Sequence, residues 1–198
     1  MKKHAPTKKE SRNKVRIISG RLKGRMIEFE NSHGLRPTGS RSREQLFNWL
    51  SPMIQGANCA DLFAGSGAIS FEALSRGATR CLSIEENLKA VIWLKHNAQK
   101  LGEGSIEIIH SDSWRLAKKN AASPFDLIFV DPPFSDNYIS DLCFDLEGNN
   151  WLKPVGYIYI EVPSNRDLFQ VPFNWQLWRR SVSGKVDIRL YKRVESNR

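Results

Sequence analysis

The chain has 198 residues, 40% of them hydrophobic and 26% charged, which suits one domain with a small appendage and excludes a disordered chain. No apolar run reaches the ~18 residues that a membrane helix needs, and no apolar segment follows the basic N-terminus as a secretory signal would, so a cytoplasmic protein is expected. The net charge of +9 is unevenly placed: residues 1–43 hold 13 of the 30 Lys and Arg but 3 of the 21 Asp and Glu, a local balance of +10. Such segregation points to a polyanion partner met by one part of the protein.

Residues 1–14 are polar and read as a basic tail. Val15–Ser19 alternates like a strand, Gly20 and Gly24 bracket a turn, and Arg25–Phe29 reads as the hairpin partner. Residues 34–39 form a loop. A helix is expected from Ser40 to Leu50, with Leu46, Phe47, Trp49 and Leu50 clustered and Pro52 ending it. From residue 58 strands and helices alternate. The strand-like runs are Cys59–Phe63, Arg80–Ile84, Ile106–His110, Phe125–Val130 and Tyr157–Val162, with helices near 67–76, 87–101, 112–121 and 136–147. This order predicts an α/β fold: a parallel sheet covered by helices on both faces. Trp175–Val182 and Lys185–Lys192, separated by Ser183-Gly184, add an antiparallel hairpin and bring the sheet to seven strands. Three cysteines (Cys59, Cys81, Cys143) without CxxC spacing read as buried thiols, and His4, His33, His96 and His110 make no metal-ligand pattern.

Ligands of open parallel sheets bind beyond the carboxyl ends of the strands. Ala64-Gly65-Ser66-Gly67 sits at such an end, where glycines permit a tight turn and close approach of backbone N–H groups. A dinucleotide fingerprint wants a third glycine, but Ser70 stands there. A cationic nucleoside cofactor, S-adenosylmethionine, needs only the shorter loop and favours an acid nearby, which Asp61 supplies. Glu85, 18 residues after Gly67, falls where a ribose-binding carboxylate belongs. Asp112 either accepts from an adenine amine, caps the next helix, or does both. Trp114 can lie along the adenine or pack as a helix residue.

Asp131-Pro132-Pro133-Phe134 follows the fourth run. The prolines stiffen the backbone and can leave carbonyl oxygens facing the site. Asp131 and the Pro132 carbonyl can each accept one hydrogen of an exocyclic amine, while Phe134 stacks on the base. Asp rather than Asn suits guanine, whose N1–H and N2–H are adjacent donors, although adenine N6-methyltransferases with Asp also exist. The competing interpretation is a proline-rich turn in which Asp131 bonds local N–H groups.

At these residues the chain resembles class I, S-adenosylmethionine-dependent methyltransferases. More narrowly, it resembles the RsmD family, bacterial enzymes that methylate the N2 amine of a guanine in 16S rRNA. The likeness runs from Val15 to Tyr191. It includes Arg16–Gly20, Gly34–Thr38, Arg41-x-Arg43-Glu44, Leu46–Leu50, Asp61–Ala68, Glu72–Arg76 and Val130–Phe134. The resemblance implies a Rossmann-like fold and S-adenosylmethionine held by Asp61, Gly65, Gly67, Glu85 and Asp112, with Phe63 and Ser113 beside them. It places Asp131, Pro132, Pro133 and Phe134 on the guanine. The expected partner is 16S rRNA in a partly assembled small subunit, met by a monomer without a metal. Residues 15–52 form the RNA-binding extension and 53–198 the catalytic domain. Lys23, Arg25, Arg36, Arg41 and Arg43 are expected to grip phosphates; for Arg41 and Arg43 the simpler alternative is that they are solvated helix residues pairing with neighbours. Rival functions are a DNA adenine-N6 methyltransferase, a non-catalytic RNA-binding module and, more remotely, a nicotinamide dehydrogenase.

Overall fold

The near-continuous apolar runs pair as parallel strands buried on both faces, as such runs favour. The computed structural model describes residues 12–30, 39–133, 138–165 and 169–194. Its elements are β1 (Arg12–Arg16), β2 (Met26–Glu30), α1 (Ser40–Leu50), β3 (Asn58–Asp61), α2 (Ala68–Ser75), β4 (Arg80–Glu85), α3 (Leu88–Leu101), β5 (Ile106–His110), α4 (Ser113–Ala117), β6 (Phe125–Val130), α5 (Ile139–Gly148), β7 (Leu152–Pro163), β8 (Trp175–Ser183) and β9 (Val186–Arg193). Seven strands form one sheet in the order β5-β4-β3-β6-β7-β9-β8. The first five are parallel, β9 runs antiparallel to β7, and β8 pairs antiparallel with β9. The α/β sheet and its terminal hairpin thus match the expectation.

One face packs Cys59, Leu127, Phe129 and Tyr159 against Leu46, Phe47 and Leu50 of α1 and Ile69, Ala73 and Leu74 of α2. The other packs Ala60, Ile128, Val130, Ile158 and Ile160 against Leu142, Cys143 and Leu146 of α5. All three cysteines are free and buried, and burial pushes the Cys81 thiol up to about 12. Among the described residues no helix is long and apolar enough to cross a membrane.

Several boundaries differ from expectation: β7 begins at Leu152 rather than Tyr157 and α5 at Ile139 rather than 136, and two more differ for visible reasons. The helix expected to reach residue 121 stops at Ala117. Asn149 Nδ2 donates to the Ala117 carbonyl at 3.0 Å and Trp151 Nε1 to the Lys119 carbonyl at 2.9 Å, taking acceptors that another turn would use. The first strand spans Arg12–Arg16 rather than Val15–Ser19, so residues 12–14 pair in the hairpin. Ile17 N–H still donates to the Arg25 carbonyl at 3.0 Å, and beyond it the amides turn to a buried acid: Ile18 N–H and Ser19 N–H donate to the two oxygens of Glu72 at 2.7 and 3.0 Å.

Glu72 is 0% exposed and also accepts from Arg76 Nε at 2.7 Å. Nearby, Leu22 N–H donates to Ser75 Oγ at 2.9 Å, and Arg21 N–H donates to the Ser75 carbonyl at 2.8 Å. Asn97 of α3 fastens β2 by bonding the N–H and C=O of Glu28 at 3.0 and 2.7 Å. The hairpin is therefore held to the main body by buried polar bonds as well as by Ile17, Leu22 and Ile27 packing on Phe71 and Leu94.

Gly20 marks the tightest approach. Its φ is +82°, and a Cβ there would lie 1.8 Å from the Ser75 carbonyl oxygen, whereas Gly24, at φ +83°, faces open space. Urea unfolding should separate the two: Gly24→Ala should cost about 1 kcal/mol for the left-handed backbone alone, and Gly20→Ala more than ~3 kcal/mol because the contact must also open. Equal losses would mean that the hairpin is not seated against α2 in this way.

Candidate active site

The glycine loop lies between the carboxyl end of β3 and the start of α2, with Gly65 at φ +52° and Gly67 at φ +82°. A Cβ on Gly67 would sit 2.6 Å from Leu94 Cδ2 and 2.8 Å from the Phe71 ring. The loop is shaped by the acid of the neighbouring strand. Glu85 accepts from Gly65 N–H at 2.8 Å through one oxygen and from Asn87 N–H at 2.7 Å through the other.

Asp61, at the end of β3, is 1% exposed. Its Oδ2 accepts from Ser70 Oγ at 2.6 Å, and Ser70 in turn accepts from Ser83 Oγ at 2.8 Å. Its Oδ1 is buried without a hydrogen-bond partner. Burial pushes this carboxyl up to about 6, the Ser70 hydrogen bond opposing the rise and the Glu85 charge adding to it. An orphaned buried carboxylate oxygen beside a glycine loop fits a ligand that brings a cationic amine or sulfonium, the chemistry of S-adenosylmethionine.

Asp112 caps α4, its Oδ1 accepting from Trp114 N–H at 2.8 Å and Arg115 N–H at 3.3 Å. Ser113 corrects an expectation: its hydroxyl donates to the Leu62 carbonyl and is buried, so it ties α4 to the loop after β3 rather than facing a ligand. Phe63 is half-buried and tilts against Trp114, ring centroids 5.3 Å apart. Tyr138, 63% exposed, meets the other edge of Trp114 at 6.2 Å.

Asp131 directly follows β6, two strands from Glu85 and beside Asp61 in the sheet order. Pro132 is buried and Pro133 exposed. Phe134 lies outside the described residues, as do Arg36 and the whole Arg-Pro-Thr loop. Lys23, Arg25 and Arg41 are exposed, and Arg25 also reaches the Lys100 carbonyl at 3.5 Å. Arg43 is a correction. It is 1% exposed, its Nη2 donates to the Arg16 carbonyl at 2.7 Å, and its Nε lies 3.9 Å from Glu72. A guanidinium enclosed in this way joins α1 to the hairpin and cannot grip phosphate from outside.

The family described as Conserved hypothetical protein 95 matches residues 15–192. The chain belongs to this family. It is 42% identical over 180 residues to Ribosomal RNA small subunit methyltransferase D of Escherichia coli (strain K12), covering 90% of each chain. It is 42% identical over 185 residues to the protein of the same name from Haemophilus influenzae, covering 92% of this chain and 95% of that one. The solved structure of yhhF from Escherichia coli superposes with a TM-score of 0.86 at 38% identity, covering 92% of this chain and 99% of that one. With these relatives, the sheet order identifies the class I methyltransferase fold that the motifs led us to expect.

Three residues beside the site have partners that sequence reasoning does not assign. Ser70 stands where a dinucleotide glycine would be and instead holds Asp61. Ser83 supports Ser70 from inside an apolar strand. Glu161, buried in β7 beside the strand that precedes Asp131, accepts from the Tyr159 hydroxyl at 2.6 Å. Ser70 follows Gly67 by one short step, a visible signal, but the other two lie within runs whose periodicity says only that they are strands.

Asp61 makes the site pH-dependent with a definite sign. Its folded value of about 6 lies above the ordinary 3.8, so the unfolded chain loses this proton first and stability falls as pH rises between those values. Relative to the native protein without cofactor, Asp61→Asn should gain up to about 3 kcal/mol on going from pH 4 to pH 7, read by urea unfolding. Calorimetry should show S-adenosylmethionine binding the native protein more tightly as pH rises through about 6, a trend that Asp61→Asn should lack. A parallel trend in both proteins would exclude Asp61 from cofactor binding.

Proposed function

We propose that the chain uses S-adenosylmethionine to methylate the exocyclic N2 amine of a guanine in 16S rRNA, acting as a cytoplasmic monomer on a partly assembled small subunit. The observation that carries this reading is the stiff Asp131-Pro132-Pro133 turn, one strand from a buried acid with an unsatisfied oxygen. The small-subunit rRNA methyltransferase names of relatives that cover nine-tenths of the chain support it.

When bound, S-adenosylmethionine supplies a methyl carbon whose bond to sulfur breaks with both electrons staying on sulfur. On this reading Asp61 balances the cofactor's positive charge, Glu85 keeps the glycine loop in shape and offers a carboxylate to the ribose, and Asp112 meets the adenine with its second oxygen. Asp131 and the Pro132 carbonyl hold the two amine hydrogens and so aim the nitrogen lone pair, with Phe134 stacked on the base. Orientation of this kind, with negative charge beside the nitrogen as it becomes positive, lowers the barrier without a covalent intermediate. One amine hydrogen then leaves as a proton to solvent. Lys23, Arg25 and Arg41 provide sequence-independent attraction to the RNA backbone, and Arg36 joins them as a proposed contact.

Labelled methyl transfer to small subunits purified from cells lacking the protein should yield N2-methylguanosine on nucleoside analysis. N6-methyladenosine, or no transfer, would sink the reading. Asp131→Ala should abolish transfer while leaving S-adenosylmethionine affinity within about two-fold, since it removes the amine's acceptor; loss of both together would make Asp131 a structural residue. Combined Lys23→Ala, Arg25→Ala and Arg41→Ala should weaken particle binding and flatten the slope of log affinity against log salt by about 2–3. A salt-insensitive defect would argue against phosphate contact.

A further inference from the structure

Glu161 is a buried acid that nothing in the proposed reaction uses. It is 4% exposed and, among the described residues, its carboxylate accepts a hydrogen bond from the hydroxyl of Tyr159, itself 0% exposed. An acid confined in this way carries an energetic cost, and Tyr159 offsets only part of it. Burial raises Glu161 above its ordinary value while the Tyr159 hydrogen bond opposes the rise.

Its place in the sheet ties it to the amine clamp. Phe129 pairs with Tyr159 and Val130 with Ile160, so Asp131 and Glu161 come next on two adjacent strands, which lie about 5 Å apart. The Tyr159 hydroxyl registers both acids: burial raises it most, and the charges of Glu161 and Asp131 raise it further. Ile188, opposite Glu161 on β9, lines a cleft of about 100 Å³ with Arg41, Ser42 and Gln45 of α1. The start of α1 therefore approaches the same end of the sheet.

We propose that Glu161 is a positioning residue for methyl transfer, held by Tyr159 so that its negative charge acts through Asp131 on the amine. A like charge beside Asp131 makes that carboxylate a stronger acceptor of the amine hydrogen. It also favours the positive charge that grows on the nitrogen, and the burial of Glu161 limits the screening of its own charge. Tyr159 supplies the fixed geometry, because its hydroxyl can donate to Glu161 only from the neighbouring turn of the pleat.

The proposal rests on the amine-methylation reading, and the test separates the two. Glu161→Gln keeps shape and hydrogen bonding but removes the charge. Transfer to small subunits should lose about 10- to 50-fold in kcat, the rate equivalent of one unit charge about 7 Å away at an effective dielectric of ~20. The KM for S-adenosylmethionine and the calorimetric affinity for S-adenosylhomocysteine should stay within two-fold. Tyr159→Phe, which leaves the acid in place but loosens it, should show a smaller loss of the same pattern. Unchanged kcat in Glu161→Gln, with Asp131→Ala still inactive, would overturn the proposal and leave the amine reading standing. So would a lower melting temperature and weaker S-adenosylhomocysteine binding that account for all lost activity. Absence of guanine methylation by the native protein would remove both.

Discussion

A parallel strand covered on both faces has no place along its length where a charge can meet water. In this chain the acids collect where the strands end. Glu85 closes β4, Asp61 closes β3, Asp131 follows β6, and Glu161 stands near the end of β7. Those four strands are neighbours in the sheet, and Asp112 lies just beyond β5 at their flank. Burial of the sheet thus produces a row of carboxylates along one edge, and the glycine loop rises from its middle. Such a row suits a ligand that carries positive charge and a second one that presents hydrogen-bond donors.

The acids in the row do different work, and their oxygens tell them apart. Both oxygens of Glu85 are taken by backbone amides, so it shapes the loop whatever else it touches. Asp112 spends one oxygen on the start of α4. Asp61 has one oxygen held by Ser70 and one buried that makes no hydrogen bond of ordinary geometry, although the Phe63 and Ser70 amides lie near enough to favour the charged carboxylate. A buried, unsatisfied acceptor costs about 1–3 kcal/mol, and the rise of its carboxyl to about 6 expresses the same penalty. The destabilised atom and the glycine loop therefore sit together, and on the proposed reading the cofactor's positive charge relieves that penalty.

Local patterns carried much of this into the sequence. Alternating strands and helices, the glycine loop and the Asp-Pro-Pro turn are short-range features, and each appears where expected. Arg43 was misread as a surface cation although the spacing held the correction: 43, 46, 47 and 50 lie on one helical face, and the last three are core residues. Ser113 was misread because a hydroxyl beside a cap looks the same whether it faces a ligand or the Leu62 carbonyl. Glu72 and Glu161 were invisible for a deeper reason. Their partners are fixed by packing: Ile18 lies 54 positions from Glu72, and Glu161 approaches Asp131 only because β6 and β7 pair in one register. Periodicity marks a residue as buried or exposed, but it does not say which distant group it meets.

The eight-residue helix α2 draws these features together. Its N-cap is Gly67 of the glycine loop, its third residue Ser70 holds Asp61, its fifth residue Glu72 holds Ile18 and Ser19, and Ser75 holds Leu22. Arg43 adds α1 to the same junction through Arg16 and Glu72. The basic extension and the acidic cofactor edge are thus two ends of one short rigid element rather than two modules joined by a linker. Close packing transmits displacement where a flexible linker would absorb it. Lys23 and Arg25 therefore stand on a hairpin whose anchoring bonds lie within two to five residues of the serine that holds Asp61. On the proposed reading, the RNA contacts and the cofactor acid are thus tied to one short helix, bonded at both ends.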